Sequence, residues 1–275
     1  MSLRHGLLAA LAIGAAAIAL TFLVLPMVAI FVRVPPGRLL HELTNPVVKD
    51  ALVVSLKTSV IAQALILLLG TPLAYLVATR RFRGRSFVIT LVELPLVLPP
   101  AVAGLGLLAA FGRAGLLGST LNAFGVSIPF TQTAVTLAVA YVASPLYIRQ
   151  GIAAFESVDP NVVAASRTLG AGPARTFFRV VLPLASGGLA AGEALAFARG
   201  LGEFGATIMF AGSFQGVTQT LPLAIYNEFA LDFDAALAMG ALLVVFSAVL
   251  LFSIKLIISW QPSRQTSRSA FVPST

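Results

Sequence analysis

Cysteine is absent from the 275 residues, and there are only two histidines, His5 and His41, and one tryptophan. No disulfide, thiolate metal site or cysteine nucleophile is therefore available. Two isolated histidines do not make a metal centre. Charge is scarce as well. Asp, Glu, Lys and Arg make up 10% of the chain, against roughly 25% in a soluble domain. No stretch reads G-x4-G-K-[ST], so the chain has no phosphate-binding loop of that kind. What remains is 58% apolar with a mean hydropathy of +0.97, and most of it must face something other than water.

A helix crosses about 30 Å of hydrocarbon with about 20 apolar residues. Six segments qualify, at about residues 7–32, 51–78, 87–111, 131–153, 184–211 and 235–259. The expected architecture is an all-α, six-span membrane protein forming one transmembrane domain over 1–275, with short connections. Pro26, Pro72, Pro95 and Pro145 fall inside spans, which membrane bundles tolerate. The N-terminal apolar run of roughly 26 residues exceeds the 7–15 of a cleavable signal, so it reads as a retained span.

A net charge of +8 in so apolar a chain points to the basic excess of cytoplasmic loops, and away from nucleic acid. One side of the spans collects Arg4, Arg80, Arg81, Arg83, Arg85, Arg149, Arg167, Arg175, Arg179, Lys255, Arg264 and Arg268. The other holds Arg33, Arg38, Lys49 and Arg113 beside Glu42, Asp50, Glu228, Asp232 and Asp234. Both termini are therefore expected inside the cell. The three basic residues of the first outer loop are the weak point of that assignment.

"ARGLGEFGAT" (Ala198 to Thr207) has the G-x-G-x-x-G spacing of a dinucleotide loop. Such a loop needs a preceding strand, whereas this one follows a membrane-length run dense in Gly and Ala. The glycines Gly187, Gly188, Gly192, Gly200, Gly202 and Gly205 fit close helix packing and hinging instead.

Between the fourth and fifth segments, residues 155–183 are too polar to cross a membrane. Asp159 followed by Pro160 is an N-cap with proline in the first turn, and Gly170 marks the helix end. Gly172-Pro173 opens a second short helix carrying Arg175, Phe177, Phe178, Arg179 and Val181, which Pro183 is expected to close. From the residues alone, this hairpin fits either lipid headgroups or a cytoplasmic partner.

The segment resembles the E-A-A-x3-G-x9-I-x-L-P loop of ABC-importer permeases. Ala165 and Ser166 occupy the alanine positions, Arg167, Thr168 and Leu169 the gap, Gly170 the glycine, and Leu182-Pro183 the end. Ala164 stands where the pattern has glutamate. The chain is also similar to molybdate permeases in "ELPLVLPPAVAGLGLLAAFGRAGLLG" (Glu93 to Gly118), "ARGLGEFGATIMFAGS" and "TQTLPLAIY". That resemblance covers roughly residues 50–255. It implies a type I importer permease that is not itself an enzyme and binds no cofactor or metal. ATP and Mg would be held by a separate cytoplasmic ATPase dimer, with Asp159, Pro160, Ala164, Ala165, Ser166, Arg167, Leu169, Gly170, Leu182 and Pro183 as the coupling surface. It further implies a homodimer and a periplasmic or lipid-anchored protein that captures a tetrahedral oxyanion, most simply molybdate. Tungstate and sulfate remain rivals.

Glu93, Glu193, Arg199 and Glu203 lie within spans, where a charge is costly unless paired or wet. Arg199 and Glu203 are i,i+4 and can pair. They also border the expected anion route, which we place along Pro99, Pro100, Gly104, Arg199, Gly202, Glu203, Gly205 and Thr207. Thr207, Ser213, Thr218, Gln219 and Thr220 are further candidates for touching substrate or receptor near the outer end. Lys57 is expected to snorkel, and the "RRFRGR" run to hold anionic membrane lipid. An ion-driven secondary transporter is the rival from another class. Interrupted spans would favour it, although no internal repeat is visible.

Overall fold

A computed structural model describes residues 2–259, and every regular element among them is helical. Arg264, Arg268 and the tail from Trp260 lie outside the described residues, as do the side chains of Arg4 and Lys255. Helix α1 (Ser2–Arg33) precedes a short α2 (Pro36–Glu42). Helix α3 (Pro46–Thr79) follows, started by Asn45, whose side chain accepts from the Val47 N–H at 3.0 Å. Next come α4 (Arg85–Val97), α5 (Pro100–Phe111), α6 (Gly118–Ala123) and α7 (Gln132–Glu156). The chain continues through α8 (Pro160–Thr168), α9 (Pro173–Thr176), a π-helical turn (Phe177–Val181) and α10 (Leu182–Leu201). Helices α11 (Gly205–Ala211), α12 (Leu221–Phe229) and α13 (Phe233–Ser259) complete it.

Four helical stretches are long and apolar enough to span a bilayer, and a bent pair makes up to five. Helix α7 has 25 residues, about 37 Å, but is less apolar because it is the centre of the bundle. It packs along α3 on one side and α10 on the other. Small residues allow the approach. A Cβ on Gly188 would stand 2.6 Å from Ala154 Cβ, and one on Gly192 2.8 Å from Gln150 Cβ. Alanines and valines such as Ala134, Val135, Ala138, Val139 and Ala143 fill the seams.

Two expected spans are broken. The third, at 87–111, divides into α4 and α5, which meet at 114°. Pro99 and Pro100 both lack the N–H that would continue the helix, and Leu98, before a proline, takes extended backbone (φ −66°, ψ 131°). The fifth, at 184–211, divides into α10 and α11 at Gly202–Phe204. Pro183, expected to close the second loop helix, instead lies in the first turn of α10. The stretch from Pro173 to Leu201 is one continuous rod. The π turn makes this possible: the Leu182 N–H reaches back five residues to the Phe177 carbonyl, shifting the ladder just before the proline. The connections are also less bare than expected, since they carry α2, α6 and α12.

Members of the two charge groups sit at opposite ends of α3, which is about 51 Å long. At its start, Arg38 bonds Asp232 at 2.9 Å and Asp234 at 3.3 Å. Arg33 approaches Asp234 at 4.0 Å and lies over the Phe233 ring. The surplus positive charge of that loop is thus neutralised in place. The Asp232 carboxyl is held below its usual range, first by the Ala235 N–H it accepts and then by Arg38. At the far end, Arg85 pairs with Glu156 and donates to the Val77 carbonyl at 2.9 Å.

Candidate functional site

The first site is the hairpin after α7. Asp159 caps α8 by accepting the Asn161 N–H at 2.8 Å, with Pro160 next in the first turn. The helix ends in a Schellman motif. Gly170 is left-handed (φ +82°), its N–H bonds the Arg167 carbonyl at 3.0 Å, and the Ala171 N–H bonds Ser166 at 3.1 Å. No residue of α8 is buried, and Leu169 is 87% exposed. Ala164, Ala165 and Arg167 are exposed too. Two attachments hold α8 down. The Ser166 and Thr176 hydroxyls share a 2.9 Å bond, and the half-buried Val163 packs on the core. Beneath it, Tyr75, Phe155 and Phe177 form a ring cluster with centroids 4.8–6.2 Å apart. Such a helix is a fixed projection with an open face. Leu182 and Pro183 lie beyond the π turn, in α10, and are not part of that face.

The second site is where the two helix breaks meet. A Cβ on Gly104 would lie 2.6 Å from the Ala206 carbonyl oxygen, and one on Gly205 2.8 Å from Pro100 Cβ. Helix α5 therefore crosses α11 almost in backbone contact. Glu203, with 1% of its side chain exposed, bridges the junction. One carboxylate oxygen lies 2.8 Å from Arg199 of α10, and the other accepts the Ala206 N–H of α11 at 2.8 Å. Of the expected packing glycines, Gly200 is also tight, its added Cβ meeting Val139 at 2.9 Å. Gly187 and Gly202 are not: nothing lies within 4 Å of either. Gly202 instead sits where α10 stops.

Pro100, Gly104, Arg199, Glu203 and Gly205 thus meet at one crossing, and Pro99, Gly202 and Thr207 adjoin them along the chain. The polar residues proposed near the outer end are less accessible than expected. Thr207, Thr218, Gln219 and Thr220 are buried, because α11 and the start of α12 pack inward. The Thr207 hydroxyl has no hydrogen-bond partner among the described residues. Ser213 accepts from Asn227. Glu93 is paired with Arg149 at 3.1 Å, and Lys57 is exposed.

Three residues of interest were not anticipated. Gln63, 4% exposed in α3, has neither amide atom partnered among the described residues, and its Nε2 lies 3.4 Å from where a Gly200 Cβ would stand. Its signal was visible: a lone amide inside an apolar run. Tyr147 and Thr71 share a 2.6 Å hydroxyl bond beside Glu193. Nothing local in the sequence pairs them.

Residues 70–266 match the family model described as "binding-protein-dependent transport system inner membrane component". The chain is 46% identical over 237 residues, 86% of itself and 89% of the relative, to the molybdenum transport system permease protein ModB of Mycobacterium tuberculosis. It is 39% identical over 83% of its length to a probable molybdenum ABC transporter permease protein of Haloferax volcanii, covering 82% of that protein. It is 37% identical, over 77% of each chain, to the sulfate transport system permease protein CysT of Escherichia coli. Among solved structures, a bacterial alginate ABC transporter superposes with TM-score 0.70 at 19% identity, over 93% of both chains. The MetNI methionine ABC transporter gives 0.62 at 18% identity, over 78% of this chain and 95% of that one.

The fold is that of an ABC-importer permease, a multi-pass membrane subunit and not an enzyme. The chain belongs to the family of inner-membrane components of binding-protein-dependent transport systems.

Proposed function

We propose that this chain is the permease of a molybdate importer, working as a homodimer with both termini in the cytoplasm. The identity of 46% over most of the chain to a molybdenum transport permease carries the choice of anion. Six crossings are proposed, counting α4–α5 and α10–α11 as one each and including α7. Residues 155–183 face the cytoplasm, where the open face of α8 seats in an ATPase that holds ATP and Mg. Asp159, Pro160, Ala164, Ala165, Ser166, Arg167, Leu169 and Gly170 form the contact, and Leu182 and Pro183 carry movement into α10. A periplasmic or lipid-anchored receptor delivers the anion from outside.

Movement of α8 is transmitted along the rigid Pro173–Leu201 rod to the α10–α11 junction, where Glu203 holds the two halves together. A net acidic lining repels an oxyanion, so Glu203 serves as strut. Arg199, the Gln63 amide and the Thr207 hydroxyl supply donors along the path. The broken spans resemble those of secondary transporters, but the family assignment favours ATP-driven import.

Labelled-molybdate uptake into proteoliposomes, with and without ATPase and receptor, tests this reading. Uptake is expected only with both partners and ATP. Uptake driven by an ion gradient alone overturns it. Competition by tungstate and sulfate ranks the substrates.

A further inference from the structure

We propose that the cavity beneath α8 binds an anionic phospholipid of the cytoplasmic leaflet. The phosphate lies at Arg80 and Arg81, and an acyl chain runs into the crevice between α3 and α10. The cavity measures about 1340 Å³. Its floor is the Tyr75, Phe155 and Phe177 ring cluster, and Arg80, Arg81, Arg85 and Arg167 stand on its lining. Glu156 answers Arg85. Arg80, Arg81 and Arg167 have no acidic partner among the described residues, so the pocket holds more positive charge than it neutralises.

A second cavity of about 490 Å³ identifies the kind of anion. It is a mainly apolar crevice walled by Leu67, Leu68 and Pro72 of α3 and by Leu189 and Ala190 of α10, with Glu193 and the Thr71–Tyr147 hydroxyl pair also on its lining. Phe177 lines both spaces, and Tyr75 of the first lies one turn beyond Thr71 of the second. Leu68 is 71% exposed and Phe178 65%, so the crevice is open along one side of the chain. From Leu68 to Thr79, α3 rises about 16 Å, close to one leaflet's share of an approximately 30 Å core. A mainly apolar crevice whose far end lies about one leaflet's depth from unpaired guanidiniums matches an amphiphile. A free oxyanion or an acidic peptide of the ATPase makes no use of the crevice. Because α8 is held, among the described residues, chiefly by Val163 and the Ser166–Thr176 bond, a lipid here braces the hairpin from below.

The inference rests on the inside placement of residues 155–183, proposed above. Labelling of single cysteines introduced into this cysteine-free chain decides that placement separately. The lipid is tested with the full chain in nanodiscs of phosphatidylcholine containing a minority of phosphatidylglycerol, without ATPase or substrate. Native mass spectrometry then counts the phospholipid retained. Selective retention of phosphatidylglycerol is expected. It should fall about fivefold for each arginine removed, so about 25-fold in Arg80→Gln/Arg81→Gln. Arg83→Gln, in the same basic run but off the cavity, should change it less than about twofold. Ala190→Phe, which fills the crevice, should lower retention with the arginines intact.

Three results overturn the proposal. An equal loss in Arg83→Gln indicates diffuse surface attraction, and displacement by inorganic phosphate indicates a free-anion site. Unchanged lipid retention with weakened ATPase binding in pure phosphatidylcholine indicates a protein contact.

Discussion

The α8 hairpin and the α10–α11 junction both interrupt the helical path, yet different forces hold them. The hairpin is shaped locally: Asp159 and Pro160 begin α8, Gly170 and Ala171 end it, and none of its residues is buried. The junction's local support comes from one side chain, Glu203, which accepts the Ala206 N–H three residues on. Phe204, at the N-cap of α11, offers no side-chain hydrogen bond. The break survives because Glu203 reaches across it and because α5 lies against it with only Gly104 and Gly205 in the way. A coupling element needs a stiff frame with a free face. A moving joint needs partners that can separate.

Filling the glycines at the crossing should break the joint most severely. In Gly104→Val the new side chain meets the Ala206 backbone at 2.6 Å, and backbone cannot step aside as a flexible side chain can. A loss of about 2–3 kcal/mol is expected, read as a lower thermal midpoint and poor yield of folded protein. Gly106→Val, on the same helix with nothing within 4 Å, should stay within about 0.5 kcal/mol of the parent.

The hairpin should behave in the opposite way. Ala165→Arg should leave the fold and membrane insertion intact but place a charge on the proposed docking face. ATPase affinity should drop about thirtyfold, the equivalent of about 2 kcal/mol at an interface centre, and uptake should cease. Gly170→Asp adds strain of about 1–2 kcal/mol for a left-handed residue and should also abolish uptake. If either variant transports normally with the ATPase bound, α8 is not the docking helix.

How much of each region was legible follows from the same contrast. Capping is written in neighbouring residues, so Asp159, Pro160 and Gly170 could be read directly. Proline could not. Pro26, Pro72, Pro95 and Pro145 all remain inside continuous helices, whereas Pro99 and Pro100 break one. The tandem removes two donors, and packing of α11 on α5 holds the bend. Pro183 misled for a related reason, because the π turn before it absorbs the missing bond. The Arg199–Glu203 pair was visible as i,i+4, but not the role of Glu203 in holding the Ala206 N–H. Gln63 was visible as an oddity and acquired a setting only once α10 was laid beside α3.

Glu203→Gln separates the two tasks of that side chain. The amide oxygen can still accept the Ala206 N–H, while the charge facing Arg199 is lost. With Arg199 34% exposed, water offsets part of the loss, and a cost of about 1–2 kcal/mol is expected. Glu203→Ala should cost more, since it also uncaps α11. Equal midpoints for the two variants would mean that the cap contributes nothing and that the joint rests on packing alone.

The smallest effect should come from the clamp between α2 and the start of α13, which belongs to neither region. Asp232 is exposed, and its carboxyl lies below the ordinary aspartate range because it accepts the Ala235 N–H, with further help from Arg38. A depressed carboxyl stabilises the fold above its ordinary pKa, and that contribution is lost as the pH falls through the lowered value. Asp232→Asn should therefore resemble the parent at the acid extreme and be less stable near neutrality. The difference should begin to shrink near pH 3.9, about the ordinary aspartate value, and vanish below the lowered one. Thermal midpoints collected across that range read it directly. A difference that persists undiminished through the acid range would assign the effect of the substitution to packing and not to charge.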